Sequence, residues 1–167
     1  MKAQPGESYR TLKDLLGHPQ FQEGVHWHRA RYPAGAMVIR EGERNRELYV
    51  VLSGSLMVCT DVEVAGHVHL KSGLCELFEG EEFALSCFFG DDPHSATVKV
   101  LADCELAVLD AGRLKQFLTR HPDIGYPILY HWLECLLPRL RLDNRRISTL
   151  LSWGLKAYRI DAELERR

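Results

Sequence analysis

Three groups of residues in this 167-residue chain have types and spacings that could do chemistry. The first is the stretch Phe83-Ala84-Leu85-Ser86-Cys87-Phe88-Phe89-Gly90-Asp91-Asp92-Pro93-His94-Ser95-Ala96. Its apolar segment runs into a Gly-Asp-Asp-Pro turn and then into a histidine followed by small residues. A loop of this kind presents main-chain amides and one imidazole to an anion. The second is a set of two alternating histidine doublets, His26/His28 and His67/His69. Residues two apart on a strand share a face, so each doublet could offer two imidazoles to a metal ion. The third is Arg139, Arg141, Arg145 and Arg146, which could meet a phosphate or a partner but read more simply as the solvated flank of a helix. The five cysteines (Cys59, Cys75, Cys87, Cys104, Cys135) include no C-x-x-C pair, which argues against a zinc ribbon or an iron–sulfur cluster. They read as free, mostly buried thiols of a reducing compartment. No nucleophile–base pair and no phosphate loop stands out, so the chain is not expected to be an enzyme.

Apolar residues make up 46% of the chain, charged residues 26%, and the net charge is −2. These values describe an ordinary globular protein with no global electrostatic footprint for nucleic acid or membrane. No apolar run approaches the roughly 20 residues of a membrane span. The first residues, MKAQPGESYR, lack the apolar core of a signal peptide, so a cytoplasmic protein is expected.

The elements that must position the candidates are mostly strands. Tyr9, Leu12, Leu15 and Leu16 predict one short helix, closed by Gly17 and Pro19. Strands are expected at Val25–Arg31, Ala36–Ile39, Val62–Val64, His67–Leu70 and Leu74–Phe78. Leu48–Leu52 and Leu56–Cys59 read as a hairpin around Ser53-Gly54-Ser55, and Ala102-Asp103 splits Ala96–Leu101 from Cys104–Leu109. Short strands separated by glycine turns point to a jelly roll or sandwich. From Asp110 the period becomes helical. Leu114, Phe117 and Leu118 define a short helix ending at His121-Pro122, and a longer one starts at Asp123. In it Leu129, Leu133, Leu136, Leu140, Asp143, Ile147 and Leu150 follow the alternating 4-3 spacing of a coiled-coil seam. A homodimer through Leu129, Leu133, Leu136, Leu140 and Ile147 is favoured over a helix packed on its own domain. Pro138 should kink or break that helix.

Tyr32 through Glu43, then Leu48–Val58, then Phe83–Val98 and the helical tail together resemble a cyclic-nucleotide-binding domain. The similarity covers roughly residues 12–150 and is strongest to the sensor half of the catabolite activator and fumarate–nitrate regulator superfamily. It implies a mainly β fold with C-terminal helices: a β-roll or jelly roll at residues 1–122, with short flanking helices, and a dimerisation helix and tail at 123–167. Phe83, Ala84, Leu85, Ser86, His94, Ser95 and Ala96 then fall in the family's phosphate-binding cassette.

The family motif reads approximately F-G-E-x-A-L, a variable loop, and P-R-S/T-A. Ala84 stands at its Gly, Leu85 at its Glu, Cys87 at its Ala and His94 at its Arg, while Ser95 and Ala96 match. The resemblance implies that the glutamate accepts from the ribose hydroxyl and that the arginine grips the cyclic phosphate. Leu85 can accept nothing, and His94 has neither the fork nor the fixed charge of a guanidinium. At about 1.5–3 kcal/mol for each charge-assisted bond, the two changes together remove roughly 3–6 kcal/mol. Asp91 and Asp92 add negative charge nearby.

No cofactor follows from the sequence, and a cyclic nucleotide is disfavoured by Leu85 and His94. Some relatives in the superfamily bind haem through a histidine, which makes His67, His69 and His94 candidate axial ligands; a Soret band decides. A cupin-like metalloenzyme using His26, His28, His67 and His69 is a further alternative, but the carboxylate such a site needs lies seven residues on, at Glu76. Metal binding is therefore not expected, with His67 and His69 the residual candidates. Only Trp153–Arg167 follow the long helix, too short for a helix-turn-helix, so direct DNA binding is not expected. What emerges is a stand-alone, homodimeric ligand sensor with a degenerate cassette. Its binding would shift the hinge near His121–Asp123, and a partner protein would read the change.

Overall fold

Runs of β-branched and aromatic residues become six strands among the described residues: β1 (Trp27–Tyr32), β2 (Met37–Ile39), β3 (Glu47–Val64), β4 (Val68–Leu77), β5 (Glu82–Phe83) and β6 (Thr97–Asp110). The structure, a computed structural model, describes residues 9–64 and 68–157, with side chains at 9–60 and 73–155. The strands pair antiparallel in the order β1–β6–β3–β4, with β2 on β6 and β5 on β3. This is the jelly-roll type of fold expected from the sequence. Ile39, Tyr49, Val51, Leu56, Leu77, Phe83, Val98, Val100, Leu106 and Val108 alternate inward and form one buried cluster.

Two expected turns are not turns. The hairpin at Ser53-Gly54-Ser55 is instead the middle of β3, an 18-residue strand, and Ala102-Asp103 lies within the 14-residue β6. The two strands bend together: their register shifts between Val51 and Leu56, where Ser53 faces Glu105 and Ser55 faces Ala102. Gly54 permits this. Its φ is +88°, and a Cβ there would sit 2.5 Å from the Asp103 carbonyl oxygen and 2.6 Å from the Cys104 Cβ. The glycine signal was that of a bulge with close strand approach, which uses the same residue as a hairpin turn. Likewise Val68–Leu77 is one strand, β4, where the glycine at 73 suggested an interruption.

Four helices are present among the described residues: α1 (Leu12–Leu16), α2 (Ser86–Phe89), α3 (Ala111–Arg120) and α4 (Pro122–Ala157). Thr11 and Asp14 close a capping box on α1, and Asp110 caps α3 by accepting from the Arg113 amide at 2.8 Å. The 36-residue α4 runs through Pro138 without interruption, so of the kink or break expected there the break does not occur. Residues 133–141 are exposed, so water can satisfy the carbonyl that the proline displaces. The chain divides into two compact units, 1–127 and 128–167.

Candidate functional site

β5 is only two residues long, and its pairing fixes where the cassette begins. Phe83 pairs with Tyr49 of β3, and the two rings stack at 4.9 Å with an interplanar angle of 8°. The chain then turns sharply. Ala84 has φ +60°, unlike any other non-glycine among the described residues, at the position where the family motif keeps glycine. A Cβ in the left-handed region costs about 1–2 kcal/mol, so the turn at Ala84 carries local strain.

Leu85 leads into the single turn of α2, where the Cys87 and Phe88 amides donate to the Ala84 and Leu85 carbonyls at 3.2 and 3.1 Å. Those two amides are spent on the turn and are not offered to a ligand. Ser86 is exposed, Leu85 half-buried, and Cys87 and Phe88 buried.

The descending arm of the cassette is tied to the turn before β3. The His94 amide donates to the Glu43 carbonyl and the Gly42 amide donates to the His94 carbonyl, both at 2.9 Å. The Arg44 guanidinium donates to the Asp91 carbonyl, and Arg46 Nε lies 3.3 Å from Asp91 Oδ1. Asp91, expected to repel a phosphate, is thus partly neutralised by an arginine. Asp92, Pro93 and Ser95 are exposed and Ala96 is half-buried.

His94 itself is 6% exposed, and its Nε2 is buried with no hydrogen-bond partner among the described residues. Burial lowers its pKa below the usual histidine value, against an opposing pull from Glu43. The imidazole is therefore neutral near pH 7. It can accept or donate one bond through Nε2, according to tautomer, but it cannot act as a cationic phosphate clamp.

Beside the cassette lies a polar chain that sequence reasoning missed. The Tyr49 hydroxyl donates to Glu47 Oε2 at 2.7 Å and accepts from Asn45 Nδ2 at 3.3 Å, and Asn45 Oδ1 is 4.0 Å from Cys87 Sγ. Burial, reinforced by the Glu47 carboxylate, pushes the Tyr49 hydroxyl far above its ordinary pKa, and burial also raises the Cys87 thiol. Both stay protonated. The alternation Asn45-x-Glu47-x-Tyr49 was the available signal, since residues two apart share a face.

The other candidates do not converge. His26 stacks on Phe21 at 4.9 Å, and its Nδ1 accepts from the Gln22 amide at 3.1 Å. His28 is exposed on β1. Among the described residues no three histidine, cysteine or carboxylate side chains lie close enough to hold a metal. His67 lies outside the described residues, as does the side chain of His69. Leu129, Leu133, Leu136, Leu140 and Ile147 are 37–58% exposed in the single chain. Arg139, Arg141 and Arg145 are exposed, and Arg146 reaches Asp143 at 3.4 Å. Cys59, Cys87 and Cys104 are buried free thiols, whereas Cys75 and Cys135 are exposed. No described helix is long and apolar enough to cross a membrane.

Known proteins resemble this chain in sequence and in fold. The chain is similar to the cAMP-activated global transcriptional regulator CRP of Pasteurella multocida, 29% identical over 126 residues. That match covers 75% of this chain but 56% of the relative, so the chain spans little more than half the length of this curated protein. Among solved structures, the catabolite activator protein of Thermus thermophilus superposes with a TM-score of 0.64 at 22% identity, covering 74% of this chain and 55% of that one. The c-di-GMP responsive global regulator CLP of Xanthomonas campestris gives 0.58 at 28% identity, covering 72% and 59%. The sequence model of the cyclic nucleotide-binding domain matches residues 29–121, which is more than half of the chain and includes the whole cassette. By its cassette-bearing fold and by this match, the chain belongs to the cyclic nucleotide-binding domain family.

Proposed function

We propose that this chain is a ligand-sensing regulatory module whose cassette has lost the usual grip on a cyclic phosphate and passes its signal through a homodimer formed by α4. The observation that carries the reading is the buried, neutral His94 with an unpartnered Nε2, at the position of the family arginine. A buried polar atom without a partner costs about 1–3 kcal/mol, and a ligand that bonds to it recovers that cost. A cyclic phosphate would meet neither a guanidinium nor a carboxylate partner for its ribose, because Leu85 stands at the glutamate position. The ligand is accordingly one that offers a neutral hydrogen-bonding group to the imidazole rather than a charge to an arginine. Relatives named for cAMP and c-di-GMP supply the first ligands to screen. In a thermal-shift titration of the intact chain, micromolar cyclic AMP or cyclic GMP leaves the melting temperature within about a degree. A shift of several degrees at micromolar cyclic nucleotide removes the reading. The dimer rests on the exposed leucine face of α4 and is tested by the oligomeric state.

A further inference from the structure

A second group of residues, away from the cassette, has the makings of an anion site. Arg113, Gln116, Phe117 and Arg120 lie at i, i+3, i+4 and i+7 on α3 and so share one stripe of that helix. His121 caps the helix, and its ring lies 4.5 Å from that of Phe117. His26, from the loop before β1, lies 5.4 Å from Phe117 on another side. With Gln20 and Val25 these six residues line a cavity of about 500 Å³, and none of these described lining residues is a carboxylate. Of the nearby acids, Asp110 caps the Arg113 amide and Glu23 pairs with Arg29, while Asp123 lies close enough to His18 to oppose the lowering of its pKa.

Helix electrostatics account for Arg120, a cation in the last turn, but not for Arg113, which puts a fixed positive charge in the first turn where the helix dipole disfavours it. Arg113 is held there by a bond from one Nη to the Val25 carbonyl, which orients the guanidinium beside the cavity. The side chains of Gln116 and Arg120 make no hydrogen bond or ion pair among the described residues.

We infer that this cavity is a binding site for a small phosphorylated ligand, held by Arg113 and Arg120 and completed by Gln116, His26 and His121. Two guanidiniums match a phosphoryl group in charge and in fork geometry, and the volume suits a molecule of pyrophosphate to nucleotide size. The site also adjoins a junction. The His121 amide donates to the Phe117 carbonyl, and its own carbonyl accepts from the Ile124 and Gly125 amides at 3.0 and 2.8 Å. A ligand touching His121 therefore bears on the peptide that links α3 to the first turn of α4. The site is independent of the cassette reading.

The test is calorimetric titration of the full chain with inorganic pyrophosphate at constant ionic strength, with the histidine ring protons followed by NMR. Saturable binding of one pyrophosphate per chain is expected, with shifts of the His26 and His121 resonances. Binding weakens at least about tenfold in the Arg113→Gln/Arg120→Gln double variant, whose substituted side chains are exposed. It is unchanged in His94→Asn, which separates this site from the cassette. Non-saturable binding in the native chain, undiminished binding in the double variant, or loss of binding in His94→Asn would overturn the inference.

Discussion

His94 is the residue on which the proposed change in cassette chemistry rests. Its main chain still bonds to the 42–43 turn and its ring is buried, so the position is structurally retained while the charge is gone. The pH dependence follows from the sign of its shift. A histidine whose folded pKa is lowered takes up its proton more readily when unfolded. The stability it contributes is therefore complete above the unfolded value of about 6.5 and is lost as pH falls toward the lower folded value. His18, lowered by burial and by His121, acts with the same sign. The melting temperature should therefore fall between pH 7.5 and 5.5, and the slope should be shallower in His94→Asn, as differential scanning calorimetry would record. The replacement of Glu and Arg by Leu85 and His94 was legible in the sequence. The burial of the ring and its missing partner were not, because they depend on strands that are distant in the chain.

At the scale of elements, the strands were legible but their continuity was not. Ser53-Gly54-Ser55 reads as a hairpin because a glycine between β-rich runs usually marks a turn, yet the same φ > 0 serves to bend β3 against β6. Gly54→Ala tests this directly. The left-handed conformation and the contact with Asp103 and Cys104 together should cost at least about 2 kcal/mol in urea unfolding. Tyr49→Phe probes the polar chain next to the cassette. It removes the bonds to Glu47 and Asn45, leaves the stacking on Phe83, and should cost about 1 kcal/mol by the same measurement. The alternation Asn45-x-Glu47-x-Tyr49 was a weak signal for this chain of bonds, since a turn residue and a strand carboxylate are ordinarily solvated.

At the scale of the molecule, the proposed dimer rests on the 4-3 spacing of apolar residues along α4, and the leucines at those positions are exposed in the single chain. Leu136→Glu/Leu140→Glu should convert a dimer to a monomer in light scattering without moving the far-UV circular dichroism per residue, because both side chains lie on the exposed face. A native chain that is already monomeric at high micromolar concentration would remove the seam. The central claim concerns the cassette, and calorimetric titration of the intact chain with cyclic AMP tests it most directly, run beside Leu85→Glu/His94→Arg. The lost bonds amount to roughly 3–6 kcal/mol, equivalent to about two to four decades in affinity. The account predicts no binding tighter than about 100 µM in the native chain and a gain of at least tenfold in the double variant. Low-micromolar binding by the native chain would contradict it.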